Sequence, residues 1–378
     1  MELVPYRFGA PVDPPWFCDR EEELAALVSR MRAGIHAFVL SPRRYGKTSL
    51  VRRALASVKA AGGHCAYANL LFATNETELA ATILQAVVRG VLGPVGRARR
   101  SLESILRELR ITPRVSLGPD GSISLGLDEA VAGASWLEVV RDALRILAGA
   151  SAKGPAVLVL DEFQVVAGLG PHGLGGAFKA LADEATATSI VFTGSHLAVM
   201  ERLTKGSGAP LAGMGERIVL DVVAEAPMVA FLRRRARAAG RHLDRPTAAL
   251  IYHSADRVPN FVQQLALAAL EAAGEEPAVT AEHVEAGVGT IVERAASAYA
   301  QQYEELARAP AQQRLLRALA RRPRAAVYAK AFLDEVGVAN ANAVTTALRA
   351  LDGRELTVRR GREWDVADPF LRRWLLNG

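Results

Sequence analysis

Cysteine is nearly absent: Cys18 and Cys65 are the only two in 378 residues. That is too few for a disulfide framework or a four-thiolate zinc site, and it agrees with a reducing compartment. Lysine is almost as scarce, six residues against forty arginines. No apolar run approaches the roughly eighteen residues that a membrane helix needs, and the opening MELVPYRFGA lacks the basic-then-apolar pattern of a secretory signal. The expectation is a cytoplasmic protein with no membrane partner. Two further absences narrow the chemistry. No G-x-S-x-G nucleophile elbow occurs, and no cluster of His and Cys has metal-ligand spacing, because His172, His196 and His253 stand apart. No internal repeat or low-complexity tract is found. What remains is a globular chain, half of it apolar, long enough for two or three domains.

The net charge of +6 is unevenly placed. From Arg308 to the end there are fourteen Lys/Arg against seven Asp/Glu, so the rest of the chain sums to about −1. Such a local surplus suits an anionic partner, since cations that neutralise phosphates release bound counterions. Solvated arginines in an arginine-preferring chain account for it equally well.

Along the chain, a short apolar strand at His36–Leu40 leads into the Pro- and Gly-containing stretch Ser41–Gly46 and then a helical pattern over Lys47–Lys59. A second strand is expected at His64–Leu71, followed by a helix over Glu76–Val91. Alternating segments around Gly118-Pro119-Asp120-Gly121 predict a hairpin inserted at 112–128. Ala156–Leu160 and Ser189–Phe192 are continuously apolar, as strands of a parallel sheet covered on both faces are. They end in Asp161-Glu162 and Thr193-Gly194-Ser195, where ligands bind in open α/β sheets. Arg217–Val223 is expected to close this domain. Four helical stretches then predict a bundle over 224–304, and three helices followed by two short strands joined by Arg360-Gly361-Arg362 predict a winged helix over 305–378.

A nucleotide-binding loop must turn sharply, aim backbone N–H groups at phosphates, and place a helix N-terminus and a lysine beside them. The stretch Ser41, Pro42, Arg43, Arg44, Tyr45, Gly46, Lys47, Thr48, Ser49 has those parts. Lys47, the only lysine in the first fifty-eight residues, would reach the β- and γ-phosphates of ATP, and the Thr48 hydroxyl would ligate Mg²⁺. Ser41 stands where the G-x-x-x-x-G-K-[ST] pattern has its first glycine. Asp161, at the end of an apolar strand, would hold the magnesium, and Glu162 would polarise the attacking water. Ser195, at the tip of the next strand, would sense the γ-phosphate or orient water; it fits a plain turn residue nearly as well.

These motifs carry a resemblance. FCDREEEL (Phe17–Leu24) is similar to the F-x-G-R-x-x-E-L box that precedes the P-loop in prokaryotic AAA+/STAND-like ATPases, often called the archaeal ATPase family. The match continues through SPRRYGKTSL, LVLDEFQ, FTGS, Val258-Pro259-Asn260 and DPFLRRWL. The resemblance implies an α/β fold: a three-layer αβα P-loop NTPase core (1–223), a helical lid (224–304) and a C-terminal winged-helix domain (305–378), in a plan similar to origin-recognition initiators. It implies ATP and Mg²⁺ as ligands, with Lys47, Glu162 and Ser195 catalytic and Thr48 and Asp161 at the metal. The chain departs from the family at Asp19, Asp256 and Arg257, where glycines are usual. Arg257 thereby becomes a candidate lid cation for the γ-phosphate. Arg202 and Arg217 are candidate arginine fingers, which would require a homo-oligomer.

Three uses of such an ATPase stay open. In the first, nucleotide state controls a winged helix that grips double-stranded DNA through Arg321, Arg322 and Arg324 and the wing residues Arg359, Arg360 and Arg362. The recognition helix Ala341–Leu351 then offers Asn342, Thr345, Thr346 and Arg349. In the second, the chain is a nucleotide-gated signalling switch whose winged helix docks a protein partner, with Trp364 and Trp374 as candidate contacts. In the third, ranked last, it remodels a partner protein.

Overall fold

The continuously apolar runs of the sequence become the interior strands of one parallel sheet. In the computed structural model, which describes residues 4–92, 114–117, 123–126, 135–151, 154–170, 173–321, 327–338, 340–360 and 363–377, the strands β1 (Ala37–Leu40), β2 (His64–Asn69), β5 (Ala156–Asp161), β6 (Thr188–Gly194) and β7 (Glu216–Val219) stand in the order β2-β5-β6-β1-β7. Every pairing is parallel. Strands β1, β5 and β6 are buried throughout, whereas the edge strand β7 is largely exposed.

Helices cover both faces of the sheet. On one face Phe38, Leu40, Leu158, Leu160, Ile190 and Phe192 pack with α3 (Glu76–Leu92), α4 (Trp136–Ala150) and α5 (Gly175–Glu184) in a single cluster. Phe163 stands edge-on to Phe192 and Phe178, with centroids 4.6 and 5.0 Å away. Each large side chain fully buried here contributes about 1.5–3 kcal/mol. The alternate residues Val39, Val157, Val159 and Val191 are buried on the opposite face, as are Leu27 and Met31 of α1 (Glu21–Arg32) and Leu50, Val51 and Ala54 of α2 (Lys47–Ala60). The result is the three-layer αβα arrangement. Strands β3 (Arg114–Leu117) and β4 (Ile123–Gly126) pair antiparallel, Arg114 opposite Gly126, within the expected 112–128 insertion. The remaining residues of that insertion lie outside the described residues.

The chain divides into two compact units, Arg20–Asp221 and Met1–Asp19 with Val222–Gly378. The first nineteen residues, expected within the 1–223 core, thus group with the second unit. Tyr6 is fully buried and donates to the Leu232 carbonyl at 2.8 Å, while buried Arg235 donates to the Pro5 carbonyl at 2.8 Å. A buried phenol and guanidinium need such partners, and no periodicity in the segment announces them.

The second unit holds helices α7 (Glu225–Ala238), α8 (Arg245–Ser254), α9 (Pro259–Ala272) and α10 (Ala281–Glu304), with a two-residue parallel bridge between β8 (His242–Leu243) and β9 (Ala278–Val279). Helices α11 (Pro310–Arg321), α12 (Lys330–Val336) and α13 (Ala341–Gly353) follow, then the antiparallel wing β10 (Thr357–Arg360) and β11 (Glu363–Val366), and α14 (Pro369–Asn377). Asn340 caps α13 through a 3.0 Å bond from the Ala343 amide. The segments expected as a helical lid and a winged helix, divided at 304/305, share this one unit because α14 packs back on α9 and α10. Phe370 stands edge-on to Phe261, and Trp374 lies between Tyr299 and Tyr303. No helix among the described residues is long and apolar enough to cross a membrane.

Candidate functional site

The site is built where β1, β5 and β6 end. Strand β1 passes into the loop Ser41–Gly46, and Gly46 sits at φ 91°, left-handed, as the N-cap of α2. Arg44 is also left-handed at φ 72°. The Ser41 amide donates to the Gly194 carbonyl at 3.4 Å, which ties the loop to the tip of β6. Behind the loop, buried Arg20 of the FCDREEEL box donates to the carbonyls of Tyr45 and Asp221 and pairs with Glu23 at 2.8 Å.

Because β6 lies between β1 and β5, its tip joins the loop to the acidic pair. Lys47, Asp161 and Ser195 are buried and Glu162 nearly so. The Lys47 ammonium lies 3.3 Å from Asp161 Oδ1 and 3.4 Å from Glu162 Oε1. Asp161 also accepts from the Thr193 hydroxyl, from the Tyr67 phenol and from the Glu162 amide at 3.0 Å. Glu162 is left-handed at φ 55°. Its Oε2 accepts from Ser195 Oγ at 2.7 Å and from Gln164 Nε2 at 2.5 Å.

Burial by itself pushes the Asp161 carboxyl up. The Lys47 charge, then the Thr193 and Tyr67 hydroxyls and the Glu162 amide, more than offset it and hold the group below the usual carboxylate range. Burial, and after it the Asp161 charge, pushes the Tyr67 phenol far above its ordinary value, so it remains a donor. The center thus keeps a fixed anion beside a cation.

The loop fits a phosphate. A Cβ built on Gly46 meets nothing within 4 Å, α2 has no side-chain cap and no acidic residue in its first turn, and Ser41 Oγ is enclosed with no hydrogen-bond partner. Uncapped N–H groups at a helix N-terminus favour an anion. The half-buried Thr48 hydroxyl and the Asp161 carboxylate are hard oxygen donors of the kind magnesium takes. No group of three or more His, Cys, Asp or Glu among the described residues can hold a metal alone. Magnesium here would therefore share phosphate oxygens with the protein, as it commonly does.

Lys47, Asp161, Glu162 and Ser195, expected together from separate motifs, meet in one place. Thr193 was expected at this strand end but not as a partner of Asp161, and Tyr67 and Gln164 were given no role there. Thr193 lies on β6 two residues before Ser195, which follows the strand end. Tyr67 required knowing that β2 pairs with β5. Of the finger candidates, Arg202 and Arg217 are both exposed.

In the second unit the residues with unusual glycine positions keep the left-handed backbone: Asp256 at φ 50° and Arg257 at φ 65°, as does Asp19 at φ 58°. Asp256 forms a bidentate pair with Arg372 at 2.7 and 2.8 Å, and Arg372 also reaches Asp365 at 3.3 Å. Arg257 is half-buried. On the wing, Arg359 is exposed, but Arg360 has Nε and Nη2 enclosed without a hydrogen-bond partner, and its charge acts on Asp365. Arg360 therefore departs from the solvent-facing contact expected of it, because its side chain turns toward a buried carboxylate. Arg321 is exposed at the end of α11; Arg322, Arg324 and Arg362 lie outside the described residues.

A family model described as a probable winged helix domain matches residues 297–377. Among solved structures, a Walker-type ATPase of Pyrococcus abyssi aligns over 99% of this chain and 100% of its own, with 18% identity and a TM-score of 0.69. The ORC2 protein of Aeropyrum pernix, solved as ADPNP–ADP complexes, aligns over 97% and 96% with 17% identity and a TM-score of 0.56. The ORC1 protein of Aeropyrum pernix, solved in complex with DNA, aligns over 96% and 94% with 18% identity and a TM-score of 0.51. No curated protein sequence matches. At these identities the likeness is one of fold: this chain has the parallel α/β core of the Walker-type ATPase and ORC structures, followed by a C-terminal winged helix.

Proposed function

We propose that the chain binds ATP with magnesium and hydrolyses it at the tips of β1, β5 and β6, and that nucleotide state controls a winged helix that grips duplex DNA. The observation that carries the first part is the convergence of Lys47, Asp161, Glu162 and Ser195 beside an uncapped helix N-terminus. Residues Ser41–Ser49 cradle the phosphates, and Lys47 neutralises the β- and γ-groups. Thr48 and Asp161 hold the magnesium, which when bound draws charge from the phosphate oxygens. Glu162 takes up the proton of the attacking water, and Ser195 and Gln164 set the direction of its carboxylate. Arg202 or Arg217 would act across a subunit boundary in a homo-oligomer.

For DNA, the support is the basic surplus after Arg308 and the exposed polar face of α13, where Asn342, Thr346 and Arg349 reach solvent. The ORC1 structure with DNA supports the same use of a similar fold. Short side chains on α13 suit backbone grip more than base readout. A protein-docking winged helix is the second reading, favoured by exposed Asp334 and Glu335 on α12 and by the inward turn of Arg360. Anisotropy of a labelled duplex with the full chain in ATP, ADP or neither, at two salt concentrations, separates them. Nucleotide-dependent, salt-sensitive binding supports the DNA reading; no binding in any state transfers the winged helix to a protein partner.

A further inference from the structure

Away from the phosphate loop, α2, β2 and α3 line an open cavity of about 420 Å³. This lies inside the range of roughly 300–1,000 Å³ that small-molecule sites occupy, and it exceeds what a simple inorganic ion needs. Among the described residues its polar lining is cationic, amide- and hydroxyl-bearing, with Lys59, Arg89, Asn69, Gln85 and Thr82 and no carboxylate. Arg52 of α2 stands close enough for its charge to act on the Tyr67 phenol, and Lys59 acts in the same way on the Cys65 thiol. The lining charges Lys59 and Arg89 are positive, whereas at the Tyr67 end the Asp161 carboxylate outweighs Arg52, so the anion would seat toward Lys59 and Arg89. One end is closed by Gly90, where α3 approaches so tightly that a Cβ would stand 2.4 Å from the Cys65 carbonyl oxygen. Only glycine permits that approach.

One residue belongs to both the cavity and the candidate active site. Tyr67 lines the cavity and donates its hydroxyl to Asp161 Oδ2. A ligand that moves this side chain removes one of the donors that fix the Asp161 carboxylate. We propose that the cavity is a second ligand site, taking a small organic anion of mononucleotide size, and that its occupant acts on the phosphate-loop site through Tyr67. The coupling half of this proposal rests on the ATP-binding reading above; the binding half does not. By linkage, whatever factor the occupant imposes on nucleotide affinity, the nucleotide imposes on the occupant.

Uridine 5′-monophosphate serves as the probe, followed by saturation-transfer NMR on the full chain, alone, with Mg·ADPNP present, and as the Lys47→Ala variant. The expected result is saturable binding that survives in Lys47→Ala, weakens at least about tenfold in Lys59→Glu and in Arg89→Glu by loss of a charge contact, and is unchanged in Lys205→Glu. Mg·ADPNP shifts the probe affinity in the wild type but not in Tyr67→Phe. Absence of saturable binding to the wild type, displacement of the probe by Mg·ADPNP with loss in Lys47→Ala, or equal binding in the charge-reversed variants overturns the second site. Probe binding unaffected by a bound Mg·ADPNP overturns the coupling. If Mg·ADPNP itself fails to bind, the ATP reading fails, and the Lys47→Ala and charge-reversal arms still decide the cavity.

Discussion

Asp161 and Asp365 are both buried carboxylates set beside a cation, buried Lys47 and partly buried Arg372, yet their surroundings push them in opposite directions. At Asp161 burial is outweighed by Lys47 and by donors from three other strands or turns. At Asp365 burial wins, because Arg372 divides its charge with Asp256, whose own carboxylate adds repulsion. The first arrangement keeps an anion fixed where a magnesium ion and phosphates would meet. The second ties the wing and α14 to the lid turn that carries Arg257, and its work is mechanical. A buried ion pair thus says little until its remaining donors are counted.

The comparison can be broken in several places. The largest effect is expected from Glu162→Gln, which removes the proton acceptor while keeping its shape. Turnover, read as phosphate release, falls about 10²–10⁴-fold, with nucleotide affinity nearly unchanged. Next, Arg372→Met leaves the buried Asp365 carboxylate and the partly buried Asp256 carboxylate without their shared cation. Urea unfolding of the full chain should show a loss of about 3–5 kcal/mol in the transition of the lid and winged-helix unit, with Glu162-dependent turnover chemistry intact at low temperature.

On the wing the contrast is between neighbours. Arg359→Ala should weaken duplex binding evenly across sequences and lower the salt slope by about one. Arg360→Ala should leave that slope alone, since its guanidinium is turned inward. A smaller effect concerns pH. The folded Asp365 carboxyl titrates above its unfolded counterpart, so the cost of its charge is absent below the ordinary carboxylate range and grows as pH rises through the raised value. Asp365→Asn should therefore flatten the stability profile on the mildly acidic side, measured as urea midpoints from neutral pH downward. The smallest change is Asp19→Gly. A non-glycine residue held left-handed at φ 58° is strained, and relief less the added unfolded-state entropy gives a net gain under about 1 kcal/mol.

Contiguous motifs made most of the core legible. Apolar strands that end in GKT, DE and TGS announce a parallel sheet and its ligand edge, because strand, turn and helix N-terminus are adjacent in sequence. What stayed hidden depends on strand order and on distant pairs. Tyr67 and Asp161 meet only because β2 lies beside β5. Asp256 finds Arg372 across 116 positions. Tyr6 and Arg235 join the N-terminal arm to the lid without any periodic signal. The wing arginines were legible as charges but not as directions, and Arg360 turned inward.

The most direct test of the phosphate-loop site is calorimetric titration of Mg·ADPNP into the full chain and into Lys47→Ala, with circular dichroism to confirm that both are folded. One saturable site per chain in the wild type, lost in the folded variant, is the predicted result. Binding that is absent from the wild type, or equal in the two proteins, would contradict the assignment of Lys47 and its loop as the nucleotide site.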